Sequence, residues 1–185
     1  MDITIISKRY ASAFFSLAQE QGLIEPAYQD MLLVSEVISE NKHLGDLLKS
    51  PVIPTPKKVK IIKTLFGNKL QKLSIRFLEL VLKKDRAILI RLIADSYIEL
   101  YKDFNNIVTI KLVTASMIDE ETRKELLEQL TSASNKTVDL VEEINPSLIG
   151  GFVLKLKDSK YDASLRRKIE LLGKDFEKNP YVKEY

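Results

Sequence analysis

The segment YIELYKDFNNIVTIKL, residues 97–112, holds the point at which the chain changes its hydrophobic period. Up to Phe104, Leu89, Ile93, Tyr97, Leu100 and Phe104 form one helical stripe, and Arg91, Asp95 and Glu99 form another at i,i+4 spacing. Beyond Asn105-Asn106, Val108, Ile110 and Leu112 alternate with Thr109 and Lys111, as in a half-buried strand. A helix therefore ends here and a strand begins. This predicts an all-α domain over residues 1–105 and a smaller α/β module over residues 106–185. The expected class is α + α/β: a six-helix bundle followed by a module with a short sheet and two helices.

Towards the N-terminus the helical period continues. Ile6, Tyr10, Phe14 and Leu17 predict a helix from Ile5 to Gln21, with Gly22 as its stop. A second helix is expected from about Pro26 to Glu40, and a short amphipathic piece carries Leu44, Leu47 and Leu48. Pro51, Pro54 and Pro56 break the pattern. Thr55 reads as an N-cap and Pro56 as the first position of the next helix, which Gly67 ends. The fifth helix should run from about Lys69 to Lys83 with Leu73, Phe77, Leu80 and Val81 inward, and the sixth from Arg86 to Phe104.

Towards the C-terminus, Asp119 is a good N-cap for a helix to Ala133 carrying Leu126, Leu127 and Leu130. A strand is expected from Thr137 to Ile144. Another starts at Phe152, turns at Asp158-Ser159 and pairs with Lys160-Tyr161. A last helix over Ser164–Lys178 carries Leu165, Ile169, Leu172 and Phe176.

Composition narrows the chemistry. The 185 residues are 45% hydrophobic and 30% charged, as in globular rather than disordered chains. No apolar run reaches the roughly 18 residues of a membrane span. Lys8 and Arg9 interrupt the first apolar stretch, so it does not read as a secretory signal. Cysteine is absent and His43 is the single histidine, which excludes disulfides, thiolate sites and multi-histidine metal sites. With 6 glycines and neither Gly-x-Gly-x-x-Gly nor a phosphate-loop string, a nucleotide-binding enzyme of the common types is not expected. No cofactor, metal, catalytic residue, small-molecule substrate or nucleic acid is expected.

Some stretches remain as candidates. His43 lies beside Lys42 in a polar link, with no nucleophile or orienting group to complete a site. Glu120-Glu121 fit a helix's first turn, and Glu142-Glu143 form a second acidic pair. Between Asp46 and Glu79 there is no acid, yet Lys49, Lys57, Lys58, Lys60, Lys63, Lys69, Lys72 and Arg76 all fall there. This is either a solvated face or an electrostatic surface for an acidic partner, RNA or anionic lipid. The first helix adds a second apolar line, Ala11, Phe15 and Ala18, which suits either a central helix or a groove for a partner helix. In Asn145-Pro146-Ser147-Leu148-Ile149-Gly150-Gly151, the glycine pair predicts a sharp turn with positive φ or a bulge, Ile149 pointing into the core and a strand from Phe152.

Taken together these stretches resemble a known family. KRYASAFFSLA (residues 8–18) resembles the N-terminal signature of the delta subunit of F-type ATP synthase, whose mitochondrial counterpart is the oligomycin-sensitivity-conferring protein. Ser50-Pro51-Val52-Ile53-Pro54 with Lys57 to Phe66 looks like its proline break and fourth helix. Lys83-Lys84-Asp85-Arg86 stands where the family has an Asn-Gly-Arg-like link. Residues 145–152, NPSLIGGF, are close to its Asp-Pro-Ser-Leu-Ile-Gly-Gly signature, and Asp162-Ala163-Ser164-Leu165-Arg166 is similar to its Asp-x-Ser ending.

The resemblance implies a non-catalytic stator subunit that joins the catalytic head to the peripheral stalk and supports proton-driven rotary synthesis. It implies that the helical domain binds the N-terminal helix of an alpha subunit between its first and fifth helices. That maps onto Tyr10, Ala13, Phe14 and Leu17 against Phe77, Leu78 and Leu80. The C-terminal module would engage the b subunits, with Ile149, Gly150, Gly151, Asp162 and Ser164 as its structural motif. Membrane attachment would come only through the complex. Because the chain opens directly on the motif, the cytoplasmic face of a bacterial membrane is expected.

Overall fold

The computed structural model describes residues 3–134, 136–156 and 159–177. The chain divides into two compact units, Met1–Asn105 and Asn106–Tyr185. Helices alone make the first: α1 (Ile3–Glu20), α2 (Ile24–Glu40), α3 (Lys42–Lys49), α4 (Thr55–Phe66), α5 (Lys72–Lys83) and α6 (Ile90–Phe104). Helix α6 packs along both α1 and α2, and α4 packs on α5. The core gathers Phe14, Met31, Val34, Ile62, Phe66, Leu78, Ile93 and Tyr97, all at most 2% exposed. The Tyr97 ring lies 5.1 Å from Phe14 and 5.6 Å from Phe15. Its hydroxyl donates to the Ile24 carbonyl at 3.3 Å. Burial, helped by the charges of Asp30 and Glu25, pushes the Tyr97 phenol up to about 12.

Two buried charges tie the helices together. Asp30 on α2 is 6% exposed; its Oδ2 accepts from the Gln71 backbone N–H at 2.9 Å and from the Ser74 hydroxyl at 2.5 Å. A carboxylate from α2 thus supplies the cap that Gln71 does not give α5, at the end where the helix dipole favours negative charge. Lys58 on α4 is 9% exposed and donates to the Leu48 and Ser50 carbonyls at 3.0 and 2.8 Å. It satisfies carbonyls at the C-terminal end of α3, so it is no part of a solvated basic face.

Several expectations are corrected. The sixth helix does not start as an α-helix at Arg86; a 3-10 turn over Ala87–Leu89 precedes it, after Asp85 at φ 55°. The last residue of its stripe, Phe104, is 53% exposed. Helix α4 begins at Thr55 with Pro54 in the cap position, and the Thr55 hydroxyl donates instead to Asp85 Oδ1 at 2.8 Å. Leu80 does not face inward: it is 49% exposed, and α5 buries Ser74, Leu78, Val81 and Leu82.

The second unit is a mixed sheet in the order β2-β1-β3-β4, built from β1 (Ile107–Thr114), β2 (Thr137–Ile144), β3 (Phe152–Leu156) and β4 (Ser159–Asp162). β1 pairs in parallel with β2 over its whole length, Ile107 facing Thr137 and Thr114 facing Ile144. A parallel pair needs a crossover. Helix α7 (Glu120–Ser134) supplies it and packs on β2. β3 pairs antiparallel with β1 and with β4. Of the expected turn, Asp158 lies outside the described residues and Ser159 opens β4. As a central strand β1 buries Ile110, Leu112, Val113 and Thr114 in place of strict alternation. Helix α8 (Leu165–Glu177) closes the described chain, with Leu165, Ile169 and Leu172 about half exposed.

Replacing Asp30 by alanine removes the acceptor of the part-buried Gln71 N–H and of the buried Ser74 hydroxyl. We expect Asp30→Ala to lower stability by about 1.5–3 kcal/mol, read from urea unfolding followed by helical circular dichroism. An unchanged midpoint would remove Asp30 from the role given to it.

Candidate functional site

On the helical unit, the residues expected to line a groove sort by exposure. The Phe14 and Phe77 rings stack at 4.2 Å with 15° between their planes, joining α1 to α5. Phe14 and Leu78 are each 1% exposed and belong to the core. Phe77 and Tyr10 are half-buried. Ala13 is exposed, and Leu17 and Leu80 are 38% and 49% exposed. The candidate surface is therefore Tyr10, Ala13, Leu17, Phe77 and Leu80, set over a floor that Phe14 and Leu78 hold in place. Of the two apolar lines on the first helix, Ala11 and Ala18 are core, whereas Leu17 at the end of the other reaches solvent.

In the β-containing unit the glycine pair and the Asp-Ala-Ser stretch form one structure. Asn145 starts a turn: its Oδ1 accepts from the Ser147 N–H at 3.0 Å, and its carbonyl accepts from the Leu148 N–H at 3.0 Å. Gly151 has φ 78°, in the left-handed region, whereas Gly150 does not. A Cβ on Gly151 would lie 2.4 Å from the Ala163 carbonyl oxygen, and one on Gly150 2.7 Å from Leu165 Cδ1. That close approach allows Leu165 N–H to donate to the Gly150 carbonyl and Ala163 N–H to the Phe152 carbonyl, both at 2.9 Å. Ser164, 2% exposed, caps α8 by accepting from Arg167 N–H at 3.2 Å. Its own N–H donates to Asp162 Oδ1 at 3.1 Å, while Lys160 Nζ lies 2.9 Å from Asp162 Oδ2. Hydrogen bonds from Ser164, then the Lys160 ammonium, pull the Asp162 carboxyl down to about 2.

One expectation fails here. Ile149 does not enter the core; it is 73% exposed, at the wall of a cavity of about 350 Å³ that Ile118, Leu126 and Phe152 also line. The turn at Asn145 delivers the chain to Gly150 from outside, so only the two glycines make the close approach.

The other candidates resolve into structure. Glu142 pairs with Arg123 on α7 at 2.7 Å, and Glu143 with Lys111 on β1 at 2.6 Å. The hydrogen bond and charge of Lys111 hold the Glu143 carboxyl below its ordinary value. Glu120 and Glu121 occupy the first turn of α7, behind the Asp119 cap on Thr122 N–H. His43 is exposed on α3. In the basic stretch Lys58 is buried and Lys63 pairs with Glu79 at 3.0 Å, so the eight cations do not make one free face. Among the described residues no helix is long and apolar enough to cross a membrane, and no cluster of His, Asp or Glu could hold a metal ion. Sequence reading missed Asp30 altogether, and named Lys58 and Asn145 without the roles they hold. Asn145-Pro146-Ser147 carried a local turn signal, whereas the partners of Asp30 lie 41 and 44 residues away.

These surfaces define a class of protein that works by contact: a helical unit with an apolar face, joined in one chain to a tightly turned β-sheet unit. Comparison with known proteins gives the family. The model of the ATP synthase delta (OSCP) subunit matches residues 6–176. ATP synthase subunit delta of Parabacteroides distasonis is 34% identical over 89% of this chain and 91% of its own, and that of Syntrophomonas wolfei 30% over 90% and 92%. A chain of the Toxoplasma gondii mitochondrial ATP synthase hexamer shares the fold, with a TM-score of 0.74 over 94% of this chain and 98% of that chain at 18% identity. The chain belongs to the ATP synthase delta (OSCP) subunit family. It is a non-catalytic subunit of the stator, associated peripherally with the complex.

Two outcomes follow from the turn. Gly151→Val meets both a left-handed backbone and the Ala163 carbonyl, a strain of at least about 1–3 kcal/mol. Limited proteolysis should then degrade the unit from Asn106 onward and leave a resistant helical fragment; wild-type resistance of the whole chain would refute this. Asp162 titrates lower in the folded state than its ordinary 3.8, so its contribution is complete above that pH and lost as pH falls towards about 2. Asp162→Asn should flatten that acid limb in melting temperatures of the full chain between pH 2 and 5.

Proposed function

We propose that the helical unit binds the N-terminal helix of the ATP synthase alpha subunit on the α1–α5 face, and that the β-containing unit engages the b subunits of the peripheral stalk. The six helices of the first unit then act as one bundle presenting that face, on the cytoplasmic side of a bacterial cell membrane. The observation that carries the reading is the Phe14–Phe77 stack, flanked by exposed Leu17 and Leu80. An amphipathic helix laid there would cover apolar surface that the unit leaves in water, on a floor already packed. The rotor delivers torque against the stator, so a rigid floor suits a contact that must hold under force. The alternative of RNA or anionic lipid on residues 49–76 gains nothing from Lys58 and Lys63, which are spent within the unit.

The test separates rim from floor. Leu17→Glu with Leu80→Glu changes only exposed positions. It should weaken binding of an alpha N-terminal peptide by roughly tenfold or more and leave the melting temperature unchanged. Phe14→Ala should instead cost about 3–5 kcal/mol of stability. Wild-type affinity in the double variant would sink the assignment of this face. Recovery of alpha and b subunits with the full chain as bait tests the partners directly.

A further inference from the structure

A cavity of about 500 Å³ opens where Ile3 at the start of α1, the end of α2, helix α3, the 3-10 turn Ala87–Leu89 and the start of α6 meet. Its volume lies within the range of small-molecule sites. The floor is aliphatic: Ile38, Leu48 and Leu89 are buried there, and no aromatic ring lines it. Ile88 and Leu92, 52% and 43% exposed, stand at the mouth. The charged groups on the lining are Lys42, Lys49 and Arg91 against the single carboxylate of Asp46. Lys42 and Lys49 make no ion pair among the described residues, and Arg91 reaches Asp95 only at 3.9 Å.

Gly45 adds an independent observation. It sits inside α3, where glycine weakens a helix, and it lines the cavity. A Cβ there would meet only the Ile38 carbonyl oxygen, at 3.9 Å, so packing does not demand a glycine. What its missing side chain does is leave space open. Beyond Ile88 a second cavity of about 380 Å³ shares Leu48, Lys49, Ala87 and Ile88 with the first. That second cavity is walled by Thr55, Lys58 and Asp85, so the apolar lining belongs to the first. The first offers no stacking face for a flat ring, and three of its four charged groups are cationic.

We propose that this cavity binds a single-chain anionic amphiphile, a medium-chain fatty acid, with its alkyl chain on Ile38, Leu48 and Leu89 and its carboxylate at Lys42 and Lys49. The site is separate from the α1–α5 face. Burial of the methylenes supplies affinity, and the two ammonium groups select an anion over a neutral chain.

Calorimetric titration of the full chain with octanoate, below its micelle concentration, tests this. One saturable site per chain is expected, with 1-octanol bound roughly tenfold more weakly or worse. Gly45→Leu fills the cavity and should abolish octanoate binding without lowering the melting temperature. Lys42→Glu with Lys49→Glu should weaken it by roughly tenfold or more. No saturable octanoate binding, equal affinity for octanol, or full binding by folded Gly45→Leu would each overturn the proposal. So would sedimentation of the protein with phosphatidylglycerol vesicles in the absence of octanoate binding, which would mark a lipid surface as the partner.

Discussion

One buried carboxylate organises the helical unit. Asp30 reaches from α2 to the first residues of α5 and fixes where that helix begins and which way it points. Buried without partners, a carboxylate is costly; capping a helix, it is stabilised by the dipole and by two donors. The orientation it sets brings Phe77 onto Phe14 and turns Leu80 outward. The apolar face of the unit thus depends on a polar contact beneath it.

The β-containing unit uses a different constraint for a similar end. There the backbone itself is pressed into contact, and only residues without a Cβ can stand at the point of closest approach. Asp162 and Ser164 form the other half of that contact, one shaping the turn and the other starting α8. The two sequence stretches belong together because neither conformation is fixed without the other. Both units accordingly spend their unusual residues on geometry, as suits a subunit that holds other parts in position.

Much of this was legible in the chain itself. The period change at Asn105-Asn106 lies where α6 ends and β1 starts, and the bounds expected for the strand Thr137–Ile144 are those observed. Periodicity reports local burial, so it serves where neighbours along the chain decide the structure. It failed for Leu80, whose face is set by Asp30 on another helix, and for Lys58, which looked like surface until the end of α3 was folded against it. It failed again at Ile149, apolar and beside a turn, because the turn and not hydrophobicity decides its direction. At Asp85 an aspartate holds a left-handed backbone where the family resemblance places Asn-Gly.

The pairing of β1 sets how the chain can carry tension. From Asn105 the backbone turns at Asn106, whose φ is 54°, into β1, which is bonded to β2 along all eight of its residues and to β3 along Lys111–Thr114. Ladder bonds lie across a strand rather than along it. Tension directed along β1 therefore acts on them in shear, and many must yield together. A hairpin pulled apart at its open end would instead unzip one bond at a time. The strand that receives the connection is the most deeply anchored of the sheet, and the short strand β4, at the edge, stays off that line of force.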